Sequence, residues 1–177
     1  MNVTGRYAGE VSAGEPHRYR WLLHVDLDQF QVAVERLRSP ELVGQTVIVG
    51  GNGDPAEARK VVTCASYEAR RLGVRAGMPL RAAYRKAPEA VYLPVDAPGY
   101  DAVSAEVMDV LRSFDHHVED WGWDEAYLGV GPIDADDRLS PVQIKEFALE
   151  VRRAVADRCG AGGRGLHRGE PARSPPR

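Results

Sequence analysis

The chain has 177 residues, of which 44% are apolar and 28% charged, a balance typical of a globular protein with one good core or two small ones. Its net charge of −3 argues against nucleic-acid binding through bulk positive charge, so any basic surface must be local. Two cysteines without metal-ligand spacing exclude a disulfide framework and favour the cytoplasm, and no apolar run approaches the roughly 20 residues of a membrane helix.

The first predicted elements follow a polar N-terminal segment. Residues 1–20 contain glycines and charges without apolar periodicity, which predicts a disordered leader. Order is expected from Trp21, where WLLHVDL is a short apolar run bounded by charge and predicts a buried strand. FQVAVERLR then has apolar residues at helical spacing, and Pro40 ends this helix.

The middle of the chain predicts a group of short elements. TVIVGG and KVVTCA are typical of two strands, with the turn NGDP between them. SYEARRLG predicts a helix with Ser66 as N-cap and Gly73 as C-terminal stop. A further helix from Pro79 to about Lys86 and a strand in AVYLPV complete this part.

The last part predicts an amphipathic helix over Tyr100–Phe114 and two strands, VEDWGW and AYLGV, joined through Asp124 and Glu125. Ser140 then caps a long helix. The element order is β-α-β-β-α-α-β-α-β-β-α, which mixes hairpins with crossovers and predicts an α+β fold. Residues 160–177 are rich in Gly, Pro and Arg and predict a disordered tail.

Three acidic residues are candidates for metal chemistry. Asp26 ends an apolar strand, where a charge is costly unless something compensates it. Asp124 and Glu125 are adjacent, and like charges raise each other's pKa unless a cation intervenes. Two Mg²⁺ ions about 3.5–4 Å apart would neutralise these carboxylates and could clamp the oxygens of a phosphoryl transfer. A solvated acidic pair at a turn, with Asp26 or Asp28 as a helix cap, is the alternative that spacing alone leaves open.

Two tryptophans flank the acidic pair. Trp121 and Trp123 stand at alternate positions of a predicted strand. Either indole could stack on a nucleobase, but their place in a strand favours the hydrophobic core for both.

Three sequence blocks occur in a fixed order: HVDLDQF, VVTCASYEARRLGVRAGMPL and WGWDEAYL. From about Trp21 to Cys159 the chain closely resembles Y-family (translesion) DNA polymerases, in particular the bacterial DNA polymerase IV branch. The resemblance implies a palm over 21–159, with a ferredoxin-like mixed sheet covered by helices on one face, and a small α/β fingers subdomain inserted at about 29–95. It also implies template-directed nucleotidyl transfer in DNA repair after DNA damage, with primer-template DNA and a dNTP as partners.

The resemblance assigns roles to the acidic residues. Asp26 would ligate both of two Mg²⁺ or Mn²⁺ ions, and the carbonyl of Leu27 would contact one of them. Asp124 would ligate a metal, and Glu125 would complete the site beside the primer 3′ hydroxyl. The catalytic pair implied is therefore Asp124 and Glu125, and the full set implied to hold the metal ions is Asp26, Leu27, Asp124 and Glu125.

The resemblance also implies a nucleotide pocket. Tyr67 and Arg70 would hold the triphosphate, and they lie three residues apart on one face of the predicted helix, where a guanidinium suits phosphate. The full set implied to bind nucleotide is Phe30, Gln31, Cys64, Tyr67 and Arg70.

Two positions in this pocket depart from the family pattern. Gln31 stands where the family usually has a Tyr or Phe gate against the ribose 2′ hydroxyl. An amide is flexible and can hydrogen-bond that hydroxyl, which predicts weak sugar discrimination and use of rNTP. Cys64 replaces a usual threonine, with Thr63 adjacent, which weakens one hydroxyl contact.

The third departure is the end of the chain. After Cys159 the family continues with another palm strand, a triphosphate-binding lysine, a thumb and a little finger, none of which follows here. We therefore expect a truncated, weakly active or inactive form without sliding-clamp contact. A catalytically dead nucleotide- or DNA-binding fragment is the alternative. A palm-fold nucleotidyl cyclase is less favoured, because it needs no triphosphate clamp like the SYEAR block.

Overall fold

The computed structural model describes residues 2–7, 19–132 and 139–162. Within these ranges the chain forms two β-sheets and five α-helices. The strands are β1 (Asn2–Tyr7), β2 (Tyr19–Asp26), β3 (Val47–Gly50), β4 (Val62–Ala65), β5 (Val91–Leu93), β6 (His117–Trp121) and β7 (Glu125–Pro132). The helices are α1 (Phe30–Arg38), α2 (Tyr67–Arg71), α3 (Leu80–Lys86), α4 (Ala97–Arg112) and α5 (Pro141–Gly162).

The first sheet is antiparallel, with strand order β1-β2-β7-β6. Alternate residues of its two central strands are buried, and Leu23 pairs with Leu128 while Val25 pairs with Ala126. These residues pack with apolar side chains of α4 and α5, which therefore cover one face of the sheet. Asp26 follows Val25 and belongs to the opposite face.

The second sheet has the order β4-β3-β5, with β3 antiparallel to β4 and parallel to β5. Val47 and Val49 pack with α1 on one face. Ile48 and Val62 pack with residues of α2 and α3 on the other face. In sequence, this three-layer unit is inserted between β2, a strand of the first sheet, and α4, which precedes β6 and β7 of the same sheet.

Helix α4 belongs to two hydrophobic cores. Tyr100 and Val103, near its start, pack with α1 and the second sheet. Val107 and Leu111, further along, pack with the first sheet. One helix therefore joins the two sheets through a continuous row of buried side chains.

A polar network reinforces the contact between α1 and α4. Arg38 forms an ion pair with Asp96 at 2.6 Å, and the Tyr100 hydroxyl donates a hydrogen bond to Glu35 at 2.9 Å. Gly99 lies under the guanidinium of Arg38, where any side chain at this position would collide with it. The glycine therefore lets Arg38 reach the start of α4.

The caps predicted from the sequence are present. The Ser66 hydroxyl accepts a hydrogen bond from the Ala69 N–H at 3.2 Å, and Gly73 follows α2 with a φ of 82°. Ser140 and Gln143 form a reciprocal capping pair at the start of α5.

The α+β class and the element order from β2 to α5, both predicted from the sequence, are confirmed. No helix among the described residues is long and apolar enough to cross a membrane.

The two chain ends differ from the sequence prediction where the structure describes them. Residues 2–7, expected to be a disordered leader, form β1 on the edge of β2. An edge strand is held by backbone hydrogen bonds, which need no apolar pattern. Helix α5 continues to Gly162, inside the predicted tail, because adding a residue to an existing helix is easier than starting one. Tyr19 and Arg20, also inside the predicted leader, are the first two residues of β2. Residues 1, 8–18 and 163–177 of the predicted leader and tail lie outside the described residues.

A pair of matched substitutions tests the role of α4 as a shared element. Leu111 is 0% exposed, whereas Leu149 of α5 is 40% exposed. Leu111→Ala should lower the free energy of unfolding by roughly 2–5 kcal/mol because it leaves a cavity in the core. Leu149→Ala should cost less than about 1 kcal/mol. Urea denaturation of both variants measures this, and equal losses would contradict the assignment.

Candidate active site

The three predicted acidic residues lie at one end of the first sheet. Asp26, the last residue of β2, pairs directly with Glu125, the first residue of β7. The N–H of Leu27 donates to the carbonyl of Asp124 at 2.8 Å, which extends the pairing by one residue. Side chains opposite each other in an antiparallel pair lie on one face, with Cβ atoms about 4.5–5.5 Å apart. The strand register therefore gathers the acidic residues.

The electrostatics of this cluster favour a cation. Burial raises the pKa of Asp124, and the charges of Glu125 and then Asp26 raise it further, against a backbone hydrogen bond that lowers it. Carboxylate oxygens are the donors that Mg²⁺ prefers, so the chemistry of the donor set fits such an ion. Among the described residues, however, no three His, Cys, Asp or Glu side chains lie close enough together to hold a metal ion by themselves.

A histidine that sequence reasoning did not consider lies beside the carboxylates. His24 Nε2 is 3.9 Å from a carboxylate oxygen of Glu125, and its ring stacks on Tyr127 at 4.8 Å. In the described part of the chain, Nε2 is buried and makes no hydrogen bond. His24 stands two residues before Asp26 in the predicted strand. Because alternate residues of a strand share a face, this spacing could have identified His24 as a neighbour of the acidic site.

The prediction that Trp121 lies in the core is wrong. Its side chain is 59% exposed, and its indole meets the Tyr127 ring edge-on at 6.1 Å. Trp121 pairs with Glu125, which lies on the face away from α4 and α5, so the strand turns it outward. Trp123 is half-buried against the second core, and its Nε1 donates to Asp101 at 2.6 Å.

Tyr67 fastens α2 to the turn between β2 and α1. Its hydroxyl donates to Asp28 Oδ1 at 2.8 Å, and its backbone N–H donates to Gln29 Oε1 at 2.7 Å. Because the hydrogen bond holds the hydroxyl proton against a carboxylate, Asp28 raises the pKa of the Tyr67 phenol. Gln29 has a φ of 51°, an uncommon conformation for a residue with a side chain. The aromatic ring of Tyr67 remains 42% exposed.

Arg70 lies one turn further along the same helix face. Its guanidinium carbon is 5.2 Å from the centre of the Tyr67 ring, which is a cation–π contact. Nε donates to the carbonyl of Ala65 at 2.9 Å. The two terminal nitrogens have no hydrogen-bond partner in the described ranges, so they are available to an anion.

The Cys64 thiol is close enough to Arg70 and Asp124 to be affected by both charges. Burial raises the pKa of its thiol, whereas backbone hydrogen bonds from Val32 and Gln31 and the charge of Arg70 lower it. The nearby charge of Asp124 raises it as well. The thiol is therefore neutral at neutral pH and contacts the first turn of α1.

The other two predicted nucleotide-binding residues occupy the start of α1. Gln31 Oε1 accepts a hydrogen bond from Thr63 Oγ1 at 2.6 Å. The Phe30 side chain is 5% exposed and packs edge-on against Tyr100 at 6.3 Å. Only the backbone of Phe30 could therefore face a nucleotide.

Sequence reasoning named Asp28 only as a possible helix cap and Thr63 only as a neighbour of Cys64, and it assigned neither these residues nor Gln29 a positioning role. The start of α1 has no side-chain cap, so the cap assignment of Asp28 is wrong. Asp28 and Gln29 belong to the short polar connection between a buried strand and a helix, a place where functional side chains are common. That pattern could have identified both. Thr63 offered no such signal, because its position depends on an irregularity in β4.

The chain is similar to known proteins of one family. The model of the impB/mucB/samB family matches residues 25–162. DNA polymerase IV 2 of Mycobacterium tuberculosis (strain ATCC 25618 / H37Rv) is 58% identical over 141 residues, which cover 80% of this chain and 39% of that protein. The chain spans about two fifths of the length of the curated relatives it matches.

Two solved structures share the fold. The Y-family DNA polymerase chimera Dbh-Dpo4(243-245)-Dbh has a TM-score of 0.67 and 32% identity, covering 77% of this chain and 39% of the chimera. The insertion ternary complex of Dbh DNA polymerase has a TM-score of 0.63 and 30% identity, covering 81% and 40%. The two sheets thus have the palm and fingers fold of Y-family polymerases. The chain belongs to the impB/mucB/samB family of Y-family DNA polymerases.

The raised pKa of Asp124 predicts a pH dependence of stability. A carboxyl group whose pKa is higher in the folded state contributes stability at low pH and loses it as pH rises through the folded pKa. Without divalent cations, Asp124→Asn should therefore be more stable than the parent at neutral pH, and this gain should shrink in acid. Thermal unfolding in EDTA between about pH 4 and pH 8 measures the difference.

Asp157→Asn is the matched control, because Asp157 is exposed on α5. It should leave the melting temperature nearly unchanged. Mg²⁺ should raise the melting temperature of the parent and of Asp157→Asn more than that of Asp124→Asn. An Asp124→Asn variant no more stable than the parent at neutral pH would contradict the assignment.

Proposed function

We propose that this chain carries the nucleotidyl-transfer centre of a template-directed DNA polymerase that acts in translesion synthesis. Its partners are primer-template DNA and a nucleoside triphosphate, and its cofactors are two Mg²⁺ ions, for which Mn²⁺ can substitute. The observation that carries the proposal is the register that sets Asp26 against Glu125 beside Asp124. Membership of the Y-family and the structural similarity to the insertion ternary complex of Dbh DNA polymerase support it.

The acidic end of the first sheet is the proposed reaction centre. Asp26 and Asp124 hold the metal ions through carboxylate oxygens, and the carbonyl of Leu27 offers a further oxygen. Glu125 lies beside the primer terminus. When bound, the ions neutralise the carboxylates and stabilise the charge that develops on the attacking and leaving oxygens. The primer 3′ hydroxyl loses its proton to solvent while its oxygen forms a bond to the α-phosphorus. The bond between the α-phosphorus and the bridging oxygen breaks, and pyrophosphate leaves with that oxygen.

The elements of the second sheet hold the triphosphate in this proposal. Arg70 offers two terminal nitrogens that can bind phosphate oxygens, and the Tyr67 hydroxyl lies one helical turn away. Cys64 contributes a neutral thiol, so no additional negative charge opposes the triphosphate there. Gln31, the second residue of α1, faces the sugar of the nucleotide in this proposal.

Primer extension by the full chain tests the function. We expect weak nucleotide addition that needs Mg²⁺ or Mn²⁺ and falls by roughly 100-fold or more in Asp124→Asn, because a group that organises charge in the transition state is lost. Asp157→Asn should retain the parent rate. Calorimetry should also detect Mg²⁺-dependent dNTP binding by the parent. Binding without extension would favour the inactive nucleotide-binding alternative, and the absence of both would refute the proposal.

Sugar selection gives a second test. With Gln31 at the gate, the parent should insert an rNTP and the matched dNTP with similar efficiency. Gln31→Tyr should lower the efficiency for the rNTP by roughly 10- to 200-fold, the range for excluding one small group from a fitted pocket. Gln45→Tyr, at an exposed position before β3, is the control. Single-nucleotide insertion kinetics measure the ratio, and a parent that already rejects rNTP strongly would contradict the role of Gln31.

A further inference from the structure

We infer that Thr63 is a positioning residue for the amide of Gln31, and that the two residues together determine how the site treats the sugar of the nucleotide. The inference rests on the proposed function and extends it to β4. Its basis is a strand irregularity and a short hydrogen bond, and neither follows from the residue types alone.

A β-bulge in β4 changes the direction of the Thr63 side chain. Val49 pairs with Cys64, but the next residue of β3, Gly50, pairs with Val62. Two steps along β4 therefore match one step along β3, and Thr63 is the extra residue. A bulged residue leaves the regular alternation of the strand, and bulges commonly direct a side chain towards a site.

The threonine hydroxyl reaches two acceptors. Oγ1 lies 2.6 Å from Gln31 Oε1 and 3.1 Å from the carbonyl oxygen of Val49. A hydroxyl has one proton to donate and can also accept hydrogen bonds. If the proton goes to Gln31 Oε1, the NH₂ group of the amide is left to face the nucleotide. If the proton goes to Val49, the amide can turn and donate to Oγ1, which leaves Oε1 to face the nucleotide.

In both arrangements Thr63 holds one end of the Gln31 amide by a hydrogen bond, and the other end of the amide faces the nucleotide. A ribose 2′ hydroxyl can donate or accept, so it suits either arrangement, whereas deoxyribose has no polar group at this position. A free glutamine must lose its side-chain freedom when it binds the ribose, and a held glutamine has already lost it. Thr63 should therefore support the use of rNTP and matter little for dNTP.

Thr63→Val is the diagnostic variant, since valine keeps the branched shape that suits a strand and removes only the hydroxyl. We expect kcat/KM for rNTP insertion to fall by roughly two- to tenfold, the effect of ordering one flexible side chain, with dNTP insertion unchanged. Thr63→Ser keeps the hydroxyl and should restore the parent ratio. In a Gln31→Ala background, Thr63→Val should change neither efficiency further.

Nuclear magnetic resonance gives a second measurement that does not depend on catalysis. The side-chain amide of Gln31 should have a high order parameter in the parent and in Thr63→Ser, and a low one in Thr63→Val. Equal order in all three proteins would overturn the inference, as would an equal loss for rNTP and dNTP in Thr63→Val. If the parent neither binds nor inserts any nucleotide, the proposed function fails. The role of Thr63 in sugar selection then fails as well, even if the order parameters show that Thr63 holds the Gln31 amide.

Discussion

The pairing of β2 with β7 decides where both the core and the acidic residues lie. Val25 faces the helices while its neighbour Asp26 faces the opposite side, with Glu125 across from it. A slip of one residue would turn the carboxylates into the core and the apolar residues outward. The burial of Leu23 and Leu128 therefore stabilises the same register that brings together charges which repel one another. Hydrophobic packing offsets the electrostatic cost of the site.

Much of this fold could be predicted because its signals are local. The apolar spacing of FQVAVERLR predicts α1 with its observed bounds, and the caps at Ser66 and Ser140 mark the starts of α2 and α5. The approach of Asp26 to Glu125 was also predictable, but through the resemblance to a family and not through spacing. The charge of the acidic pair alone also suited a solvated turn.

Other features depend on contacts distant in sequence. Strand β1 forms because β2 offers an unpaired edge, which the composition of residues 2–7 does not reveal. Trp121 lies outside the core because its strand pairs with β7 in one register, and an aromatic residue fits either face of a strand. Thr63 reaches Gln31 through a bulge, and no residue type specifies where a bulge forms. These positions become known only when the pairing partner is known.

The helix that contributes to both cores has a consequence for cooperativity. Because Tyr100 and Leu111 are buried in different hydrophobic cores yet belong to one helix, neither core can melt without removing packing from the other. The described chain should therefore lose its structure in a single calorimetric transition. Any ligand that stabilises the second sheet would then slow hydrogen exchange of backbone amides in the first sheet, although it contacts none of them.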